Sequence, residues 1–508
     1  MLDKLKAILF PDPKEDNLKK KSIASSLWAL LGKGGGNVLR LGSNLALTSL
    51  LLPEAFGLMA TASVFLAMLQ LFSDFGIKTA IVQNPNGDKE EFLNAAWFIS
   101  IWRGIVLFLI AVVFAYPLSL FYERNELFPL VLIVSSGILI LGFENPAMTL
   151  LVKRMQTQRQ ILLDLGTEVL AITTTIVLAV VFANVWALAI GSVSLYLYKV
   201  LVSYLFFKYR PRFVWSQAYG KEILQFGKFI LLNTAVTWAS MNLDSLAIGK
   251  VLGMKSLGFY NIGKNLGLIV ELLFIQMFSN AYFPAISSIA HQPERVEKAY
   301  LKYTRVVIAI SVPLLTCIAV SAEFIVSTLY NPKYLTACIV LFWIAFRGIL
   351  RILNVIQGTT LVAAGKPKYE SFAMSISLLV LFPCFFLGIS QGAELTKVLY
   401  QYFPFSIYNE KLFGVSTGVF LASVPVLLVE ILLLKKIMGF HWQTIFVPWL
   451  QILVLVFLIL TVYFYLPMLI AKQLFFGFAF PIALGIISLL ISAAIYYILV
   501  KYQRKALL

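Results

Sequence analysis

Between positions 22 and 500 the chain passes through about fourteen apolar stretches, each long enough at roughly 20 residues to cross a bilayer. Hydrocarbon offers no partner to a backbone N–H or C=O, so segments of this kind must satisfy those groups internally, as helices do. The expected fold class is an all-α polytopic membrane protein with about 14 transmembrane helices. Composition agrees, with 60% hydrophobic and 13% charged residues among 508, a balance foreign to a soluble domain. The formal net charge of +17 would point to nucleic acid in a soluble chain. Here the basic residues gather at span ends, where topology rather than nucleic acid accounts for them. No nucleic-acid partner is expected.

The basic residues also give the expected orientation. Alternate connections carry Lys153, Arg154 and Arg159, then Lys208, Arg210, Arg212 and Lys221, then Arg295, Lys298 and Lys302, while the intervening ones are poor in them. By the positive-inside rule both termini are cytoplasmic. The chain then divides into a cytoplasmic amphipathic tail (1–21), an N-terminal lobe of six spans (22–208), a cytoplasmic linker (209–222) and the first part of a C-terminal lobe (223–389). An external loop (390–411), a span completing that lobe (412–434), two further spans (444–500) and a cytoplasmic tail (501–508) follow. The first segment lacks the cleavage pattern of a signal peptide and is read as a retained tail.

Charges inside the spans carry the functional signal, because an ionisable group in a membrane is costly unless it faces a partner or a cavity. Asn233, Thr237, Ser240 and Asp244 recur at helical spacing on one face, and Tyr260, Lys264, Gly267 and Glu271 repeat that face on the next helix. The pattern occurs once earlier, about 200 residues upstream, in Lys33, Asn37, Arg40 and Asn44. There Pro53-Glu-Ala-Phe-Gly-Leu58 matches Met254-Lys-Ser-Leu-Gly-Phe259, Gly57 falls over Gly258 and Gln70 over Glu271. Two related halves in parallel orientation are expected.

Other chemistries find little support. Gly32-Lys-Gly-Gly-Gly36 lacks the spacing of a phosphate loop and reads better as small residues that let helices approach. Cys317, Cys338 and Cys384 all lie in spans, and His291 and His441 in loops, so neither a disulfide framework nor a metal motif can be drawn. No cofactor is expected. Polymerases and ligases of surface polysaccharide would need convergent groups at the outer face, and Glu394, Lys397 and Glu410 are a thin set.

The run Leu51-Leu-Pro-Glu-Ala-Phe-Gly-Leu58, with Leu71-Phe-Ser-Asp-Phe-Gly-Ile77, Ile248-Gly-Lys-Val-Leu-Gly253 and Leu257-Gly-Phe-Tyr260, resembles the Wzx-like polysaccharide and O-antigen flippases of the multidrug/oligosaccharidyl-lipid/polysaccharide exporter superfamily. The resemblance implies two six-helix lobes in pseudo-twofold repeat with two extra C-terminal helices. It implies a transporter rather than an enzyme, moving undecaprenyl-pyrophosphate-linked oligosaccharide between leaflets of the bacterial cytoplasmic membrane by alternating access. Expected partners are that lipid-linked oligosaccharide, inner-membrane lipids, and a polysaccharide polymerase with its chain-length machinery.

A pyrophosphate crossing hydrocarbon needs a cationic lining, and the planar fork of arginine suits it. Arg347 and Arg351, one turn apart with Asn354 continuing their face, are the first candidates. Lys264, Arg40 and Lys33 follow, with Asn37 and Asn44 beside them. Tyr260 is a candidate for stacking on a sugar ring, against ordinary packing. Asp244 and Glu271 are candidate proton or cation sites. Structural pairing of Arg103 with Glu144 or Glu168, and of Asp74 with Lys78, is the competing use of these charges. A cation-coupled multidrug exporter, a peptidoglycan-precursor flippase, a membrane polymerase or ligase, and a non-transporting scaffold are the alternatives.

Overall fold

A computed structural model describes residues 18–71, 77–154, 156–214, 219, 231–277, 282–402 and 409–469. The N-terminal tail up to position 17, Asp74, Lys228, most of the segment 215–230, the outer run 403–408 and the last expected span (474–500) lie outside the described residues.

Every element of three or more residues is helical among the described residues. The order is α1 (Leu18–Leu50), α2 (Pro53–Leu71), α3 (Ile77–Gln83), α4 (Glu90–Tyr122), α5 (Leu127–Gly142), α6 (Met148–Lys153), α7 (Thr157–Phe182), α8 (Val185–Phe206) and α9 (Leu231–Met277). Then come α10 (Phe283–Ser288), α11 (Pro293–Val320), α12 (Ala322–Leu329), a 3-10 turn (Pro332–Tyr334), α13 (Ala337–Ala363), α14 (Pro367–Tyr402), α15 (Glu410–Leu421), α16 (Val424–Met438) and α17 (Trp442–Leu469). Nine stretches among the described residues are long and apolar enough to cross a membrane. Several expected spans differ in form. α9 contains two of them, separated by Gly253, whose φ of +84° breaks the helix in a region that glycine enters without a Cβ clash. α1 is long but more polar, in keeping with its Lys and Asn face, and α5 is short.

The helices form two compact units. The first comprises Met1–Trp238 with Ser245–Gly258, and the second Ala239–Asp244 with Phe259–Leu508. In the first, the glycine run of α1 serves close packing, as expected: a Cβ on Gly32 would stand 2.6 Å from Ile161 of α7, and one on Gly36 3.2 Å from Glu168.

The predicted repeat leaves a direct mark in the same unit. A Cβ on Gly57 would lie 1.8 Å from the Met254 carbonyl oxygen, and one on Gly258 1.9 Å from that of Pro53. The offset of about 200 residues carries Pro53 onto Met254 and Gly57 onto Gly258, so each half offers the other the same patch, the reciprocity that a twofold axis produces. Ion pairs Arg124–Glu54 and Lys250–Glu123, each 2.8 Å, flank this crossing.

In the second unit α13 is the hub, packed by α11, α14, α15 and α16. It is apolar almost all round and nearly wholly buried, as a helix at the centre of a bundle must be. Its polar exceptions are therefore informative.

Candidate functional site

The α13 sequence Arg347-Gly-Ile-Leu-Arg351-Ile-Leu-Asn354-Val-Ile-Gln357 sets four polar side chains along one face at helical spacing. The second half of α9 comes against α13 through glycine: a Cβ on Gly263 would meet the Ala337 carbonyl oxygen at 2.6 Å, and one on Gly267 the Ile344 side chain at 2.5 Å. Gly267, read from the sequence as part of a polar face, is thus where α13 enters. That approach carries Lys264 and Glu271 to the arginines.

Asp244 is the centre of the resulting cluster. Lys264 Nζ donates to both of its oxygens at 2.8 and 2.9 Å and to the Met241 carbonyl at 2.8 Å. Tyr260 donates its hydroxyl to Asp244 Oδ2 at 2.6 Å, and Arg347 Nη1 stands 4.0 Å from the same oxygen. Arg351 Nε lies 3.6 Å from Glu271 Oε1, and Asn354 donates to Glu430 Oε2 at 3.0 Å. Side chains of Asp244 and Lys264 are only 3% and 10% exposed. Three cations thus face Asp244, Glu271 and Glu430, with the partly buried Glu370 within electrostatic reach of Arg351 and Glu430, in a setting where any unpaired charge would be costly.

The pairing is incomplete in a particular way. Arg347 Nη1, Arg351 Nε, Glu271 Oε2 and Glu430 Oε1 are buried without a hydrogen-bond partner. Both guanidinium groups are held at ion-pair distance yet keep donors in reserve. Beside them is a small cavity of about 30 Å³ whose lining includes Asp244, Arg347, Arg351, Asn354, Leu381 and Val426. Such an arrangement can receive an anionic group by rearranging charges already present, without bringing a bare cation into hydrocarbon.

The structure therefore brings Asp244, Tyr260, Lys264, Glu271, Arg347, Arg351 and Asn354 into one cluster. Tyr260 is fully buried and held by Asp244, so its ring has no face open to a sugar here, and ordinary packing describes it. Arg40, Asn37 and Asn44 lie on α1 in the first unit, and the Lys33, Asn233, Thr237 and Ser240 side chains lie outside the described ones. Arg40 Nε donates to Glu168 at 2.6 Å and Lys78 pairs with Glu144 at 3.3 Å. These correct one expected pairing: Glu168 and Glu144, assigned to Arg103, are held by Arg40 and Lys78, while the expected Asp74–Lys78 pair lies outside the described residues. Glu430 escaped the sequence reading. Its signal was a single carboxylate in the apolar run Val426-Leu-Leu-Val-Glu-Ile-Leu-Leu-Leu434.

Bilayer-length helices around a hub that carries a buried cluster of paired charges beside a cavity define a multi-pass membrane transporter. The fold is similar to that of a lipid II flippase MurJ in an inward closed conformation, with a TM-score of 0.66 and 13% identity over 93% of this chain and 98% of that one. It is also similar to an inward-facing multidrug resistance MATE family transporter, with a TM-score of 0.56 and 16% identity over 79% and 96% of the two chains.

The chain belongs to the polysaccharide biosynthesis protein family, whose pattern matches residues 46–339. It is 25% identical over 342 residues to the teichuronic acid biosynthesis protein TuaB of Bacillus subtilis, covering 67% of this chain and 70% of that one. With the lipopolysaccharide biosynthesis protein WzxC of Escherichia coli it shares 23% over 360 residues, 69% and 71% of the two chains. The resemblance to Wzx-like flippases read from residues 51–77 and 248–260 holds.

Proposed function

We propose that the protein moves an undecaprenyl-pyrophosphate-linked oligosaccharide from the cytoplasmic to the outer leaflet of the bacterial cytoplasmic membrane, for assembly of a surface polysaccharide. The observation that carries this reading is the reserve of N–H donors on Arg347 and Arg351 beside the cavity of the second unit. A pyrophosphate offers acceptor oxygens to two guanidinium groups one helical turn apart, about 6 Å along α13. The family and the fold supply the wider setting.

In this account the headgroup enters from the cytoplasmic side while the lipid tail stays in the bilayer, and the protein works by alternating access. Anion binding displaces carboxylates from the arginines, so Asp244 and Glu271 are the groups positioned to take up a proton or cation. Both termini are cytoplasmic, and a polymerase with its chain-length machinery receives the product. Arg40, Asn37 and Asn44 contribute a polar α1 face in the first unit, and Lys33 is proposed with them from its spacing in the sequence.

The test is to deplete the protein in its own cells and ask where lipid-linked repeat units accumulate. Accumulation on the cytoplasmic leaflet, with polymer lost, is expected. Normal polymer and no accumulation would contradict the proposal.

A further inference from the structure

The first unit holds a second set of paired charges, unlike the cluster on α13, and three of them, Asp164, Glu168 and Lys199, lie on bilayer-length helices. Lys78 pairs with Glu144 at 3.3 Å, Lys199 with Asp164 at 3.7 Å, and Arg40 with Glu168 at 2.6 Å. Asp164 is within electrostatic reach of both Lys78 and Glu144, so the first two pairs adjoin. Asp164 and Glu168 are one turn apart on α7, about 6 Å along its axis, which brings the third pair next in line. The series runs from the chain after α5 to the middle of α7. Tyr196, one turn before Lys199 on α8, adds a hydroxyl that Gln70 reaches at 3.4 Å.

Two properties separate this series from a structural network. It is open: the side chains of Lys78 and Arg40 are 74% and 69% exposed, and those of Lys199 and Asp164 are 32% and 43% exposed. Asp164 and Lys199 lie on bilayer-length helices, and charged groups exposed there must face water or a polar guest. It is also neutral, with each cation beside a carboxylate, so an anion would be repelled by as many groups as attract it. A sugar has the opposite demand. Each hydroxyl both donates and accepts, and a line of alternating carboxylates and ammonium or guanidinium groups answers both.

We infer that the ion pairs Lys78–Glu144, Lys199–Asp164 and Arg40–Glu168 form a track for the uncharged saccharide part of the substrate. The inference rests on the proposed function and deepens it by naming residues of the first unit that contact the saccharide. Longer saccharides touch more of the track and depend on it more.

The experiment uses the full-length protein in vesicles and two probes: undecaprenyl pyrophosphate bearing one neutral hexose, and the same carrier bearing a neutral pentasaccharide. Asp164→Leu/Lys199→Leu removes one pair without leaving a lone charge. Lys78→Leu/Glu144→Leu repeats the test at the neighbouring pair should the first variant not fold. The expected result is a KM about tenfold higher for the pentasaccharide carrier, the loss of one or two hydrogen bonds to charged groups, with less than about a threefold change for the single hexose. Wild-type movement of both probes, with equal change or none in the variants, overturns the track alone. No wild-type movement of either probe overturns the proposed function and the track with it.

Discussion

Lys264 and Asp244 are joined by two hydrogen bonds, 2.8 and 2.9 Å, across the break at Gly253 that folds α9 back on itself. Lys264→Met would remove both of these hydrogen bonds from the Asp244 carboxylate. Breaking a buried pair from one side costs about 3–5 kcal/mol, whereas replacing both partners is close to neutral. Lys264→Met should therefore lower the thermal midpoint in detergent sharply, and Asp244→Leu/Lys264→Met should recover most of it. Equal loss in both variants would show that the pair is not what the site depends on.

The reciprocal crossing at Gly57 and Gly258 yields a second prediction. Either residue changed to Ala drives a methyl into a carbonyl oxygen within 2 Å of its position, and overpacking costs about 1–3 kcal/mol or more where backbone must shift. Gly42, with nothing within 4 Å of an added Cβ, is the control, and Gly42→Ala should match wild type. Folded yield and thermal midpoint decide the matter.

How much of this was legible beforehand divides along physical lines. Gly57 over Gly258 could be read from spacing, because a repeat keeps its small residues where backbones cross. The Arg347, Arg351 and Asn354 face could be read because polar residues inside an apolar helix obey its period. What neither pattern reveals is the partner. Glu144 goes to Lys78 and Glu168 to Arg40 rather than either to Arg103, because pairing depends on how helices distant in sequence are laid together. Glu430 was silent for the same reason: a lone carboxylate shows no face, and its meaning comes from Asn354.

Outside the membrane spans, Lys153 donates to Asp88 and holds its carboxyl below the ordinary value of 3.8, and Lys250 does the same for Glu123 below 4.5. A depressed carboxylate stabilises the fold above its unfolded value and loses that contribution as pH falls through the folded one. Both groups are exposed, so the effect is small. The wild-type advantage in thermal midpoint over Asp88→Asn should be present at neutral pH and fade below about pH 4. A gap that widened in acid would contradict the pairing.

Among the described residues, Asn354 supplies the one hydrogen bond found for Glu430. Asn354→Leu should destabilise by about 1–3 kcal/mol, the cost of a buried polar group left unmet. Asn354→Leu/Glu430→Leu should restore stability, read again as thermal midpoint.

The central claim is transport through the arginine site, and transbilayer movement of a lipid-linked oligosaccharide in vesicles tests it most directly. Wild type is compared with Arg347→Ala/Arg351→Ala, both checked for folded protein. The account predicts movement by the wild type that fails in the folded double variant. Full movement by that variant would contradict the site, and no movement by the wild type, with or without an imposed ion gradient, would contradict the function.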